Sequence, residues 1–187
     1  RRSSDLLSNT QRETSLAETL QQNISVAEGN KASLEGLMHP EVKEAIALCR
    51  NPFSELQDKG TQALWELSKT SDQRSLQAIN FLATSERLTE KQADLLIQRL
   101  EAHPKKNLPV LLGIYSSLMR TLPAERERTL KKLTSKHRNV PLNDLRIFLQ
   151  WLSLEGESKL LRSMISEETL YSDPIVFTAY AQSFTER

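Results

Sequence analysis

NPFSELQDKGTQALWELSKTSDQRSLQAINFL, residues 51–82 of a chain of 187, reads as two antiparallel helices joined by a short polar turn. Phe53, Leu56, Gly60, Ala63, Leu64 and Leu67 recur at spacings of three and four, and so do Leu76, Ile79, Leu82 and Ala83. That is the spacing of a helix with one buried face. The segment from Ser68 to Asp72 between them is polar.

Outside this stretch, prolines punctuate the chain. Pro40, Pro52, Pro109, Pro123, Pro141 and Pro174 each stand just ahead of an amphipathic run. In a first helical turn the missing N–H leaves no bond unmade. Asn51 and Asp173 are expected to be N-caps, and Thr89 with Gln92 a capping box with Leu88 as its staple. These signals predict helices near 40–50, 52–69, 72–85, 90–102, 109–121, 124–136, 142–154, 157–165 and 174–185, with a single turn near 166–171. The helix at 109–121 is apolar over most of its circumference and should be the most buried. The last should bury Ile175, Phe177, Tyr180, Ala181 and Phe184. No segment alternates with period two for long enough to argue for a strand, so the expected class is all-α.

The helices pair. First helices begin near 52, 90, 124 and 157 and second helices near 72, 109, 141 and 174. The step of about 32–38 residues is that of two-helix repeat units, which bury their faces by stacking. The expected architecture is a stack of about four antiparallel helical hairpins, α-solenoid-like and right-handed, over residues 39–187. An irregular helical bundle is the alternative. Residues 1–38 read as an extension, either a coiled-coil seam through Ala17, Leu20, Ile24, Ala27, Leu34 and Met38 or a partly helical linker; Gly29-Asn30 and Gly36 interrupt it.

GTQALWELSKTSDQRSLQAI, Gly60 to Ile79, resembles the third helix of an armadillo repeat running into the next. HPEVKEAIALCRNPFSELQDK, His39 to Lys59, is similar in rhythm to the first two helices. The resemblance, over residues 40–82, implies an armadillo- or HEAT-like α-solenoid. Armadillo repeats carry an Asn after the Trp to hold an extended peptide; here Glu66 follows Trp65, so the resemblance does not extend to that site.

With 38% apolar and 26% charged residues the chain can fill a core. No run approaches the roughly 20 apolar residues that span a bilayer, so no membrane insertion is expected. Cys49 is the only cysteine, which excludes an internal disulfide framework. His39, His103 and His137 have no metal-ligand spacing, and the first two, each before a proline, are expected as exposed caps. No phosphate loop, dinucleotide fingerprint or nucleophile elbow occurs. These readings predict a non-catalytic, cytoplasmic module with no cofactor. The Arg1-Arg2 start would sit on the cytoplasmic side of an upstream membrane anchor.

Charge is uneven although its sum is only +1. Arg126, Arg128, Lys131, Lys132, Lys136 and Arg138 form the candidate partner-binding ridge, with Arg128, Lys132 and Lys136 four apart on one helix stripe. From Glu155 onward acids dominate. The leading expectation is a protein–protein interaction or scaffold module of a larger protein or assembly; the alternative is a nucleic-acid-binding helical repeat using the basic 120–146 ridge. Against the latter, no aromatic residues interleave the ridge to stack on bases. Two short motifs are read as structural rather than functional. Asn51-Pro52-Phe53 matches the tripeptide that endocytic adaptor domains bind, though a cap followed by first-turn proline accounts for the same residues. Asn23-Ile24-Ser25 is a glycosylation sequon on the apolar seam.

Overall fold

Four of the prolines sit inside the first turn of the element they open: Pro40, Pro109, Pro123 and Pro174. The structure, a computed structural model, describes residues 38–185. Among these residues ten α-helices and one 3₁₀ turn occur and no strand, so the described chain is all-α. In order they are α1 (Pro40–Cys49), α2 (Ser54–Leu67), α3 (Gln73–Leu82), α4 (Glu90–Ala102), α5 (Leu108–Thr121), the 3₁₀ turn Pro123–Glu125, α6 (Arg126–Lys136), α7 (Leu142–Leu154), α8 (Ser158–Ser163), α9 (Glu167–Ser172) and α10 (Pro174–Gln182). The coiled-coil or linker reading of the extension and the Asn23 sequon lie outside the described residues.

Caps account for most of the remaining boundaries. His39 accepts from the Glu41 N–H, Asp72 from Arg74, Asn107 from Val110 and Asp173 from both Ile175 and Val176. Thr89 and Gln92 form the reciprocal capping box that the sequence predicts. Asn51 differs from expectation: α2 starts at Ser54, its N-cap is Phe53, and Pro52 lies ahead of the helix. Phe53 brings no side-chain acceptor to that end.

Packing is mostly between sequence neighbours. Helix α1 lies on α2 and α3, α2 on α3, α3 against α4 and α5, α5 against α6 and α7, and α7 against α8 and α10. Helix α5 buries Leu111, Leu112, Ile114, Tyr115, Leu118 and Met119. Helices α1 and α2 approach closely at Gly60. A Cβ there would stand 2.6 Å from the Ala45 carbonyl oxygen and the Cys49 nitrogen, and 2.8 Å from the Leu48 Cβ. Glycine is therefore required by the crossing of α1 over α2 rather than by backbone conformation.

Two expectations about buried faces are corrected. His103 is not an exposed cap: it is buried, its Nε2 lies 2.9 Å from the Asp72 carbonyl oxygen, and its Nδ1 accepts from the Lys105 N–H. It ties the end of α4 to the turn between α2 and α3. Helix α10 is rotated from the expected face. Val176 and Ser183 are buried and Ala179 is half-buried, whereas Phe177 is 50% and Phe184 62% exposed. Two anchors hold that rotation. Asp173 pairs with Arg146 of α7, and Arg162 of α8 donates to Ser183 O at 2.8 Å and to Ser183 Oγ at 3.1 Å.

Candidate partner-binding surface

Helix α6 carries the six basic residues of the ridge, or leads into them, but does not present them as one free stripe. The α6 face with Leu130 and Leu133 is buried, which brings its basic flanks over the neighbouring helices. Arg126 reaches the turn after α7, with NH2 3.0 Å from Glu157 Oε1 and 2.8 Å from the Glu155 carbonyl oxygen, and NH1 3.3 Å from Glu155 Oε2. Glu155 Oε1 in turn accepts from Ser116 Oγ at 2.7 Å, and Ser116 Oγ accepts from Trp151 Nε1 at 2.8 Å. One continuous polar chain thus joins α5, α6 and the α7–α8 turn.

The stripe itself faces α4. Arg128 pairs with Glu90, with Asp94 at 3.2 Å and with Glu125 at 3.2 Å, and Lys132 Nζ is 2.8 Å from Asp94 Oδ1. Lys136 Nζ lies 4.0 Å from Glu101 Oε1. Lys131 and Arg138 are exposed and form no ion pair among the described residues. Four of the six candidates therefore direct charge toward acids of this same chain, and two direct it to solvent.

Glu101 is a second convergence. It lies near Tyr115 OH at 3.2 Å, Lys106 at 3.7 Å and His137 Nε2 at 3.9 Å. Burial and the neighbouring Glu101 carboxylate push the Tyr115 hydroxyl well above its ordinary pKa. Asp72 is held well below the carboxylate range, chiefly by its hydrogen bonds from the Arg74 side chain. For Asp173 burial opposes ionisation, but Arg146 and the N–H groups of Val176 and Ile175 outweigh it and lower the pKa. Among the described residues no three His, Cys, Asp or Glu side chains group as metal ligands. No helix among them is long and apolar enough to cross a membrane.

Exposed apolar side chains gather elsewhere. Leu154 is 73%, Tyr171 76%, Phe177 50% and Phe184 62% exposed. Phe177, Tyr180 and Phe184 recur at helical spacing, and the last two rings meet edge to face at 5.2 Å. The Arg162 guanidinium covers one face of Phe184 at 4.4 Å. Glu167 and Glu168, at the start of α9, are exposed. Helix α1, at the other end of the described residues, turns Lys43, Glu44 and Arg50 outward.

Sequence reasoning missed Arg99, the partner that joins Trp65 to the next hairpin. Arg99 of α4 lies over the Trp65 ring at 5.6 Å, donates to the Trp65 carbonyl oxygen at 3.3 Å and bonds Ser68 Oγ. The only available signal was the position of Arg99, 34 residues after Trp65, close to one repeat step. Comparison with known protein families, with curated proteins and with solved structures found no match.

Proposed function

We propose that this chain is a non-catalytic protein–protein interaction module, a stack of helical hairpins whose last unit docks a partner. The carrying observation is the rotation of α10: Phe177 and, just past its end, Phe184 are exposed and Tyr180 is half-buried, while Val176 and Ser183 are buried. An exposed apolar stripe of aromatic residues marks a surface that another molecule covers. The exposed Glu167 and Glu168 favour a partner segment that is apolar with basic flanks.

The α-solenoid reading, right-handed and armadillo- or HEAT-like, belongs to the same proposal. It is supported by the span of the contacts between units. His39 to Gln77, Arg74 to Glu41, Arg99 to Trp65, His103 to Asp72, Thr121 to Ala83, Lys132 to Asp94, Arg126 to Glu157 and Ser116 to Glu155 all join residues 31 to 39 apart. A stack in which each unit touches only its neighbours gives contacts one repeat apart. Protein is favoured over nucleic acid because Arg126, Arg128, Lys132 and Lys136 direct charge to Glu155, Glu157, Glu90, Asp94 and Glu101 of this same chain.

Photo-crosslinking tests the reading. A crosslinking residue in place of Phe177 should give a discrete protein adduct in lysate that Tyr171→Ser with Phe184→Ser removes, and the same group at the exposed Gln62 should give none. Identical adducts from both positions would contradict it.

A further inference from the structure

Asn51, Pro52 and Phe53 connect α1 to α2 and serve neither helix in the way their residue types suggest. Asn51 does not cap α2, because the N-cap is Phe53, and Pro52 is outside the first helical turn. Phe53, at the position where Ser, Thr, Asp or Asn stabilises a helix, supplies no acceptor to the end of α2. Its ring is 70% exposed, more than either aromatic ring of the α10 stripe, Phe177 or Phe184.

What the three residues do form is a fixed, outward-pointing turn. Asn51 Oδ1 accepts from the Phe53 N–H at 3.0 Å across Pro52, whose ring restricts the backbone between them. Both ends are tied down. The Asn51 N–H donates to the Leu48 carbonyl oxygen at 3.1 Å, and the Asn51 carbonyl oxygen accepts from Gln57 Nε2 at 2.7 Å. The Phe53 carbonyl oxygen accepts from the Leu56 and Gln57 N–H groups, each at 3.1 Å. Asn51 Nδ2 makes no hydrogen bond to the described residues, which leaves two donors beside the ring. Pro52, Ser54 and Glu55 around the ring are exposed as well, so the approach is open.

We infer that Asn51-Pro52-Phe53 is a second interaction site, a ligand turn read by an adaptor domain of the class that binds N-P-F tripeptides. Such a partner needs an apolar pocket for the Phe53 ring and an acceptor for Asn51 Nδ2. The turn is already closed in the free chain, so binding does not have to order it. The site is independent of α10 and goes beyond the docking surface proposed there.

The test titrates the whole chain against an isolated adaptor domain known to bind Asn-Pro-Phe peptides. Binding should be saturable and displaced by a free Asn-Pro-Phe peptide. Phe53→Ser, which removes the ring and supplies a capping hydroxyl, and Asn51→Ala should each weaken it by about tenfold or more. The melting temperature of the Phe53→Ser chain should not fall. A chain carrying Phe177→Ser and Phe184→Ser should bind as the wild type does, which separates this site from the α10 face. Absence of saturable binding by the wild-type chain, binding undiminished by Phe53→Ser, or failure of the free peptide to compete would each overturn the assignment.

Discussion

Replacing Gly60 by alanine should destabilise the fold, although alanine is the better helix former by about 1 kcal/mol. The reason is the crossing of α1 over α2. The added Cβ would meet the Ala45 oxygen and the Cys49 nitrogen at 2.6 Å and the Leu48 Cβ at 2.8 Å. Two of those three atoms are backbone, so no rotamer change relieves the contact, and α1 has to retreat. Overpacking of this kind costs about 1–3 kcal/mol, and the gap opened along the rest of the interface forfeits further dispersion. After the propensity gain is subtracted, a net loss of up to about 2 kcal/mol remains, equivalent to at most roughly 8 °C in melting temperature for a domain of this size. Gly113, in the middle of α5, is the internal control. It is exposed and a Cβ there meets nothing within 4 Å, so Gly113→Ala should stabilise by about 0.5–1 kcal/mol. Urea unfolding followed by far-UV circular dichroism reads both. Opposite shifts of the two midpoints are expected; a rise in both would refute the close crossing and leave helix propensity as the sole determinant.

Asp173 and the ridge give further expectations. The Asp173 carboxylate is held below its ordinary value in the folded chain, so its ionisation favours folding. That contribution is complete above about pH 4 and is lost as pH falls below it toward the folded value. Asp173→Asn keeps a good capping residue and should flatten this part of the stability–pH profile, whereas Asp173→Ala should lose about 1–3 kcal/mol at neutral pH. An unchanged acid slope in Asp173→Asn would show that the Arg146 pair does not matter. Arg128→Glu with Lys132→Glu breaks pairs whose side chains are 29–52% exposed, so the loss should stay below about 2 kcal/mol. Lys131→Glu with Arg138→Glu should leave stability within about 0.5 kcal/mol of wild type. In a gel-shift titration at low salt the wild-type chain should not bind nucleic acid, and a shift that the second pair of substitutions abolishes would contradict the protein-binding reading.

The helices were legible because local signals agree with one another. Apolar periodicity and the Thr89 capping box place α4 at Glu90–Ala102, and periodicity directly after Pro141 places α7 at Leu142–Leu154, as the sequence predicts. The start of α2 was not legible, because Asn51-Pro52 looks the same whether it caps a helix or closes a turn just ahead of one. The rotation of α10 was hidden for a different reason. Phe177 and Phe184 are the large aromatic side chains of this segment, yet the smaller Val176 and Ser183 are the ones buried. Arg146 on Asp173 and Arg162 on Ser183 fix that orientation, and both anchors come from residues 21 to 27 positions away. The ridge posed the same problem. Arg128 and Lys132 look free within α6, and their partners Glu90 and Asp94 lie one helical unit earlier. Tertiary placement decided these cases, and composition carries no trace of it.

The most direct test of the central claim is hydroxyl-radical footprinting of Phe177 and Phe184 by mass spectrometry, on the free chain and on the chain in its purified native complex. The account predicts heavy modification of both rings in the free chain and strong protection in the complex, with exposed residues of α1 unchanged. Rings protected in the free chain, or equally modified in both states, would contradict an outward-facing docking stripe on α10.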